Sequence, residues 1–158
     1  MDTDPSARLR YVLAATDFSE QGNRAVAHAY SLVDRGGAVT LVHVAESPEP
    51  PNPLYAHYTP GHATTPEERA RLDAELADRL RQLVPRDAIA RGIGTRVEVI
   101  QEPDVPAAIR AAAERAGAQV ICMGSHGRSG LSAALTGSVA HAVLKRSPIP
   151  MLLVGPER

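Results

Sequence analysis

The sequence predicts an α/β fold: a parallel β-sheet with helices on both faces. Three observations carry that expectation. Short apolar runs of strand length alternate with stretches whose apolar residues recur at helical spacing, in the order β-α-β-loop-α-β-α-β-α-β. Most of the strand-length runs are nearly continuous in apolar residues, as strands covered on both faces are. The last strand-helix-strand unit, Val120 to Val154, carries a loop dense in glycine and serine between strand and helix.

The elements follow in chain order. Residues 1–8 are polar and are expected to form a loose arm. Tyr11–Ala15 is an apolar run ending in Thr16 and Asp17 and reads as the first strand. Ser19 is placed to cap the next helix, with Glu20 in its first turn. Ala25, Val26, Ala29, Leu32 and Val33 give that helix its apolar face, and Gly36 and Gly37 are expected to stop it. Val39–Val44 reads as the second strand, with Thr40 and His43 as its polar interruptions.

Residues 46–66 break the pattern. This segment holds six prolines, two tyrosines and two histidines, too many prolines for a strand or a helix. It is read as an insertion in a single domain spanning 1–158, and as a flap near the ligand-binding end of the sheet. Thr65, Pro66 and Glu68 then make a capping box with proline at the first helical position. Leu72, Leu76, Leu80 and Leu83 mark one face of the following helix, which Pro85 is expected to end. Arg96–Gln101 alternates in part, which suits a strand at an edge or open on one side. Asp104 is placed to cap a helix through Ile109 to Ala116, closed by Gly117. Val120–Met123 is the fourth strand, and the last helix runs from near Gly137 and Ser138 to Lys145 and Arg146. Met151–Val154 is the fifth strand.

Strand, glycine-rich loop and helix start, in that order, make an anion cradle. Glycines let backbone N–H groups converge on one point, and the helix start adds unpaired donors and the positive end of its dipole. A phosphate-bearing ligand is the first inference. Gly124, Gly127, Gly137 and Ser138 fit G-x2-G-x9-G-[ST]. Neither a Walker A loop nor a G-x-G-x-x-G fingerprint is present. The four-position pattern resembles the nucleotide-binding signature of the universal stress protein family, in its ATP-binding branch. The resemblance covers nearly the whole chain.

That resemblance implies a doubly wound, Rossmann-like open five-stranded sheet of order 3-2-1-4-5, similar to the adenine nucleotide α-hydrolase-like fold. In that order the switch point lies between strands one and four, where ligands of open α/β sheets sit. It also implies ATP as cofactor, with Mg2+, and a role for each matching residue. Asp17, within Ala15-Thr16-Asp17, would lie beside the adenine or ribose; the family often has Pro-Thr-Asp here, so Ala15 is a departure. Val44 and Met123 would contact the adenine. Gly124 and Gly127 would pass close to ribose and phosphates, and Arg128 would neutralise phosphate charge. Gly137, Ser138 and Val139 would donate N–H groups to the distal phosphates. The Ser138 hydroxyl would touch a metal ion carried by the nucleotide or serve as a plain N-cap.

Composition bounds the alternatives. Net charge is -1, from 17 basic and 18 acidic residues, which points to neither nucleic acid nor an anionic membrane as partner. No apolar run approaches a membrane span, and the N-terminus lacks the form of a signal peptide, so the cytoplasm is expected. Cys122 stands alone in a strand and reads as a buried, inert thiol. His57 and His62 lack a third ligand at fixed spacing, and His43 and His141 read as packed or half-buried. No catalytic dyad or Walker B-like acid is evident, so ATP hydrolysis, if any, would be slow. The leading reading is an ATP-binding regulatory or stress-response protein. The alternatives are a slow ATP-hydrolysing or AMP-forming enzyme of the same fold, and a nucleotide-free interaction protein. Met151, Leu152, Leu153 and Val154 are apolar throughout and fall at a sheet edge in the implied order, so a homodimer pairing through strand five is expected.

Overall fold

The computed structural model of the protein describes residues 8–45, 65–125 and 137–156. Their elements are β1 (Tyr11–Ala15), α1 (Glu20–Leu32), β2 (Ala38–Ala45), α2 (Pro66–Gln82), β3 (Gly94–Gln101), α3 (Val105–Arg115), β4 (Val120–Gly124), α4 (Ser138–Arg146) and β5 (Met151–Val154). The five strands form one parallel sheet in the order β3-β2-β1-β4-β5. This is the predicted fold class and strand order. The N-terminal arm 1–7 and residues 46–64 of the expected insertion lie outside the described residues.

Each face of the sheet buries its own core. On one side Val12, Ala14, Val39, Leu41 and Cys122 pack with Ala25, Val26, Ala29 and Tyr30 of α1 and Leu80 of α2. On the other side Leu13, Ala15, Val42, Ile121 and Met123 pack with Ile109, Ala112 and Ala113 of α3 and Ala140 and Val143 of α4. Successive strand residues point to opposite faces, so a strand between two helix layers must be apolar at every position. That explains the apolar runs of β1 and β4 and the largely apolar run of β2, where Thr40 and His43 are the buried polar exceptions. It also explains β5. Leu152 and Val154 join the α1 side, while Met151 and Leu153 join the α4 side. These contacts bury Val154 but leave Met151, Leu152 and Leu153 partly exposed, so both the side chains and the outer backbone edge of β5 bear on pairing with a second copy.

The helix ends follow local chemistry. Ser19 Oγ accepts from Gly22 N at 3.1 Å, Thr65 and Glu68 complete a reciprocal capping box at 3.1 and 2.9 Å, and Asp104 Oδ1 accepts from Ala107 N at 3.0 Å. Each cap falls where the sequence places it, and each is worth about 1 kcal/mol. Two stops differ from expectation. α1 ends at Leu32 because Val33, 1% exposed, turns into the core in extended conformation; Gly36 (φ +75°) serves the turn that follows. α2 ends at Gln82, and Leu83 and Val84 continue in tighter i→i+3 bonds before Pro85. The leucine stripe of α2 packs only at its C-terminal half, since Leu80 is fully buried and Leu72 is 49% exposed.

Candidate nucleotide site at the carboxyl edge of the sheet

The turn after β1 is held by side chains rather than by a regular ladder. Thr16 N donates to Val42 O at 3.0 Å, which carries the chain past the last strand residue. Thr16 Oγ1 accepts from Phe18 N and donates to Asn23 Oδ1, both at 3.0 Å. Asp17 Oδ1 accepts from Ser19 N at 3.0 Å, an Asx turn that leads into the Ser19 cap. Phe18 sits at φ +64°, in the left-handed region that costs a non-glycine residue about 1–2 kcal/mol. The network fixes the Asp17 carboxylate group at the carboxyl end of β1, so Asp17 is both a turn residue and a lining residue of the cavity described below.

The end of β4 meets this turn through two glycines. A Cβ on Gly124 would stand 3.0 Å from Gly22 N and 3.1 Å from Gln21 Cβ. A Cβ on Gly22 would stand 2.7 Å from Thr16 Oγ1 and 3.0 Å from Asp17 Oδ1. Gly124 is therefore required by the approach of α1, a reason separate from any ligand. Beyond it, Ser125 N donates to Val154 O at 2.9 Å, and Ser125 O accepts from Gly137 N. Ser125 thus bonds to the end of β5 and to Gly137, which sets the start of α4 beside the end of β4.

Gly137 is the N-cap of α4 (φ −50°, ψ 150°) and supplies no side-chain cap. Ser138 is the first helical residue, not the N-cap. The first intrahelical bond runs from His141 N to Gly137 O at 2.9 Å. The N–H groups of Ser138, Val139 and Ala140 consequently have no acceptor within the helix. They present donors and the positive end of the helix dipole at one place.

These parts enclose a cavity of about 470 Å³. Ala15, Thr16, Asp17 and Val44 line it from β1 and β2, Met123 and Gly124 from β4, and Gly137, Ser138 and Val139 from α4. Gly127 and Arg128 lie outside the described residues. The cavity opens at the switch point between β1 and β4, which are neighbours in the sheet although β2 and β3 separate them in sequence. Its walls divide by chemistry. Val44, Ile109 and Met123 are apolar, the α4 start is rich in donors, and Asp17 is the one carboxylate among the described lining residues.

The cavity is also lined by Gly22, Val105 and Ile109, which belong to no recognisable motif, and by Ser125, a variable position within the Gly124–Gly127 motif. His43 is expected from the sequence to be packed or half-buried. The ring is indeed buried, at 8% exposure, yet it lines the cavity and its Nδ1 lies 2.9 Å from Thr16 O. The available signal was a histidine near the carboxyl end of an otherwise apolar strand. His141, expected to be packed or half-buried, is exposed, because it falls on the outer face of α4 between the buried Ala140 and Val143.

The described residues hold no group of three or more His, Cys, Asp or Glu that could bind a metal ion, and His57 and His62 lie outside them. Cys122 is fully buried, and desolvation pushes its thiol up to about 12, so it carries no thiolate near neutral pH. Among the described residues no helix is long and apolar enough to cross a membrane.

Comparison with known proteins agrees with this architecture. The structure of the protein MJ0577 superposes with a TM-score of 0.76 at 25% identity, covering 95% of this chain and 98% of that one. UspA from Lactobacillus plantarum superposes at 0.66 and 21% identity, covering 94% and 99% of the two chains. A universal stress protein solved in complex with cAMP gives 0.54 at 23% identity, covering 94% and 98%. A search of curated protein sequences finds no match. Residues 9–155 match the universal stress protein family, and the chain belongs to that family.

Proposed function

We propose that the cavity binds an adenine nucleotide, ATP with Mg2+, and that the protein is a nucleotide-dependent regulator of the ATP-binding branch of its family. The observation that carries the reading is the uncapped start of α4 opening into the cavity at the switch point. N–H groups with no acceptor within their own helix, at the wall of a cavity, suit a phosphate oxygen as a charged acceptor, worth about 1.5–3 kcal/mol per bond. The apolar wall suits a base, with Val44 and Met123 against the ring and the Asp17 carboxylate beside the ribose. Gly124, Gly127, Arg128, Gly137, Ser138 and Val139 would hold the phosphates. That a universal stress protein of this fold was solved in complex with cAMP is in keeping with an adenine nucleotide as ligand. Asp17 is the cavity's one described carboxylate, so Mg2+ would be held mainly by phosphate oxygens, with the Ser138 hydroxyl within the same region. Regulation through a homodimer paired at β5, a single domain over 1–158 and a cytoplasmic setting, where adenine nucleotides are held, complete the proposal.

Ser138→Pro tests the anion end. Proline is well tolerated at the first helical position and the extended Gly137 before it is compatible with a proline, so α4 survives while one N–H and the hydroxyl are lost. Titration calorimetry with Mg-ATP should show affinity about tenfold weaker or worse, a loss in line with one or two charge-assisted bonds. Adenosine binding should change little. Equal ATP affinity in wild type and variant, or no ATP binding by the wild type, would overturn the assignment.

A further inference from the structure

Three side chains stack beside the Asp17 turn. The Arg79 guanidinium of α2 lies 3.9 Å from the Phe18 ring centroid, and the Phe18 ring lies 4.6 Å from His43 at 40°. His43 Nδ1 is 2.9 Å from Thr16 O. A carbonyl oxygen only accepts, so Nδ1 carries the proton and donates. The turn is thus gripped twice. Phe18 N is held by Thr16 Oγ1 from within, and the Thr16 carbonyl is held by His43 from β2. The ring of Phe18, whose backbone is left-handed (φ +64°), contacts both a cation and an imidazole. The residue between the two gripped ones is Asp17.

We propose that His43, Phe18 and Arg79 are positioning residues for the nucleotide site, acting through Asp17, so that α2 is coupled to the ribose end of the cavity. The inference rests on the nucleotide reading above and adds residues that no motif contains. His43 sets the height of the turn by its bond to Thr16 O. Phe18 sets the orientation of the turn by its strained backbone. Arg79, exposed on α2, holds the Phe18 ring in place.

A double-mutant cycle on Mg-ATP affinity tests this. Wild-type binding is measured first, and its absence sinks the nucleotide reading itself rather than this one. If the wild type binds, His43→Ala should weaken ATP about five- to tenfold, the scale of one lost hydrogen bond. His43→Asn, whose amide can donate from a position like that of Nδ1, should recover most of the loss. Arg79→Ala should weaken ATP about twofold, in line with an exposed cation–π contact. In the Asp17→Ala background each of these losses should vanish, because the group being positioned is gone. Wild-type affinity in a folded His43→Ala variant, or the same fold-loss with and without Asp17, overturns the proposal. Should His43→Ala fail to fold, the Arg79→Ala arm of the same cycle decides by the same criterion.

Discussion

Gly22→Ala is a sharp test of how β1, α1 and β4 meet. Helix propensity alone favours the change, since alanine beats glycine in a helix interior by about 1 kcal/mol. The structure predicts the opposite sign. The new Cβ would lie 2.7 Å from Thr16 Oγ1 and 3.0 Å from Asp17 Oδ1, well inside ordinary contact. Thr16 cannot swing away freely, because a β-branched side chain is stiff at χ1 and its Oγ1 holds both Phe18 N and Asn23 Oδ1. Overpacking of this kind costs about 1–3 kcal/mol, and disturbing two hydrogen bonds adds about 1 kcal/mol each. Against the propensity gain, a net loss of about 2–4 kcal/mol remains. At roughly 2–4 °C per kcal/mol for a chain of this size, Tm should fall by about 4–16 °C. Thermal unfolding followed by circular dichroism, with urea titration for comparison, reads the change. The loss should shrink in a Thr16→Ala background, where the nearest clashing atom, Thr16 Oγ1, is gone. A rise in Tm for Gly22→Ala would refute the close packing of the turn against α1.

Two further outcomes follow from β5 and β4. The carbonyls of Pro150 and Val154 face β4, so by strand alternation the backbone of Leu153 faces the open edge; Leu153→Pro should leave the ladder to β4 intact and convert the proposed dimer to monomer in sedimentation at micromolar concentration, and a wild type that is already monomeric would remove the dimer. Cys122 should resist thiol alkylation until the protein unfolds. Its folded pKa is raised to about 12 from the ordinary value of 9.0, so its contribution is fully present below about pH 9 and is lost as pH rises toward 12, at most about 1.4 kcal/mol per pH unit. Cys122→Ala should flatten the alkaline limb of the stability curve, and an unchanged slope would place the loss elsewhere.

The parts of the fold legible in the sequence are those governed by neighbours along the chain. Ser19, Thr65 and Asp104 cap their helices because capping is a contact between residues three positions apart or fewer. The strands at Tyr11–Ala15 and Met151–Val154 match residue for residue because burial on both faces leaves an unbroken apolar run. The helix stops were less legible. Val33 leaves α1 to fill the core, and that pull comes from packing rather than from the glycines downstream.

The candidate site divides in the same way. Asp17, Gly124, Gly137 and Ser138 were visible because their spacing follows from strand, loop and helix succession. The sequence by itself determined the α/β class, most element boundaries and, through a family pattern, the strand order. Only the tertiary structure decided why Gly124 must be glycine, that Ser138 is the first helical residue rather than a cap, and that His43 reaches the Thr16 carbonyl. It also showed that alternate residues of β5 pack against the two cores of the same chain, burying Val154 and leaving the other three partly exposed. The physical reason is separation. Gly22 and Gly124 touch, as do Phe18 and Arg79, across spans of chain whose intervening sequence carries no record of the contact. Periodicity reports which face of an element is buried, but what it is buried against depends on how the sheet is wound.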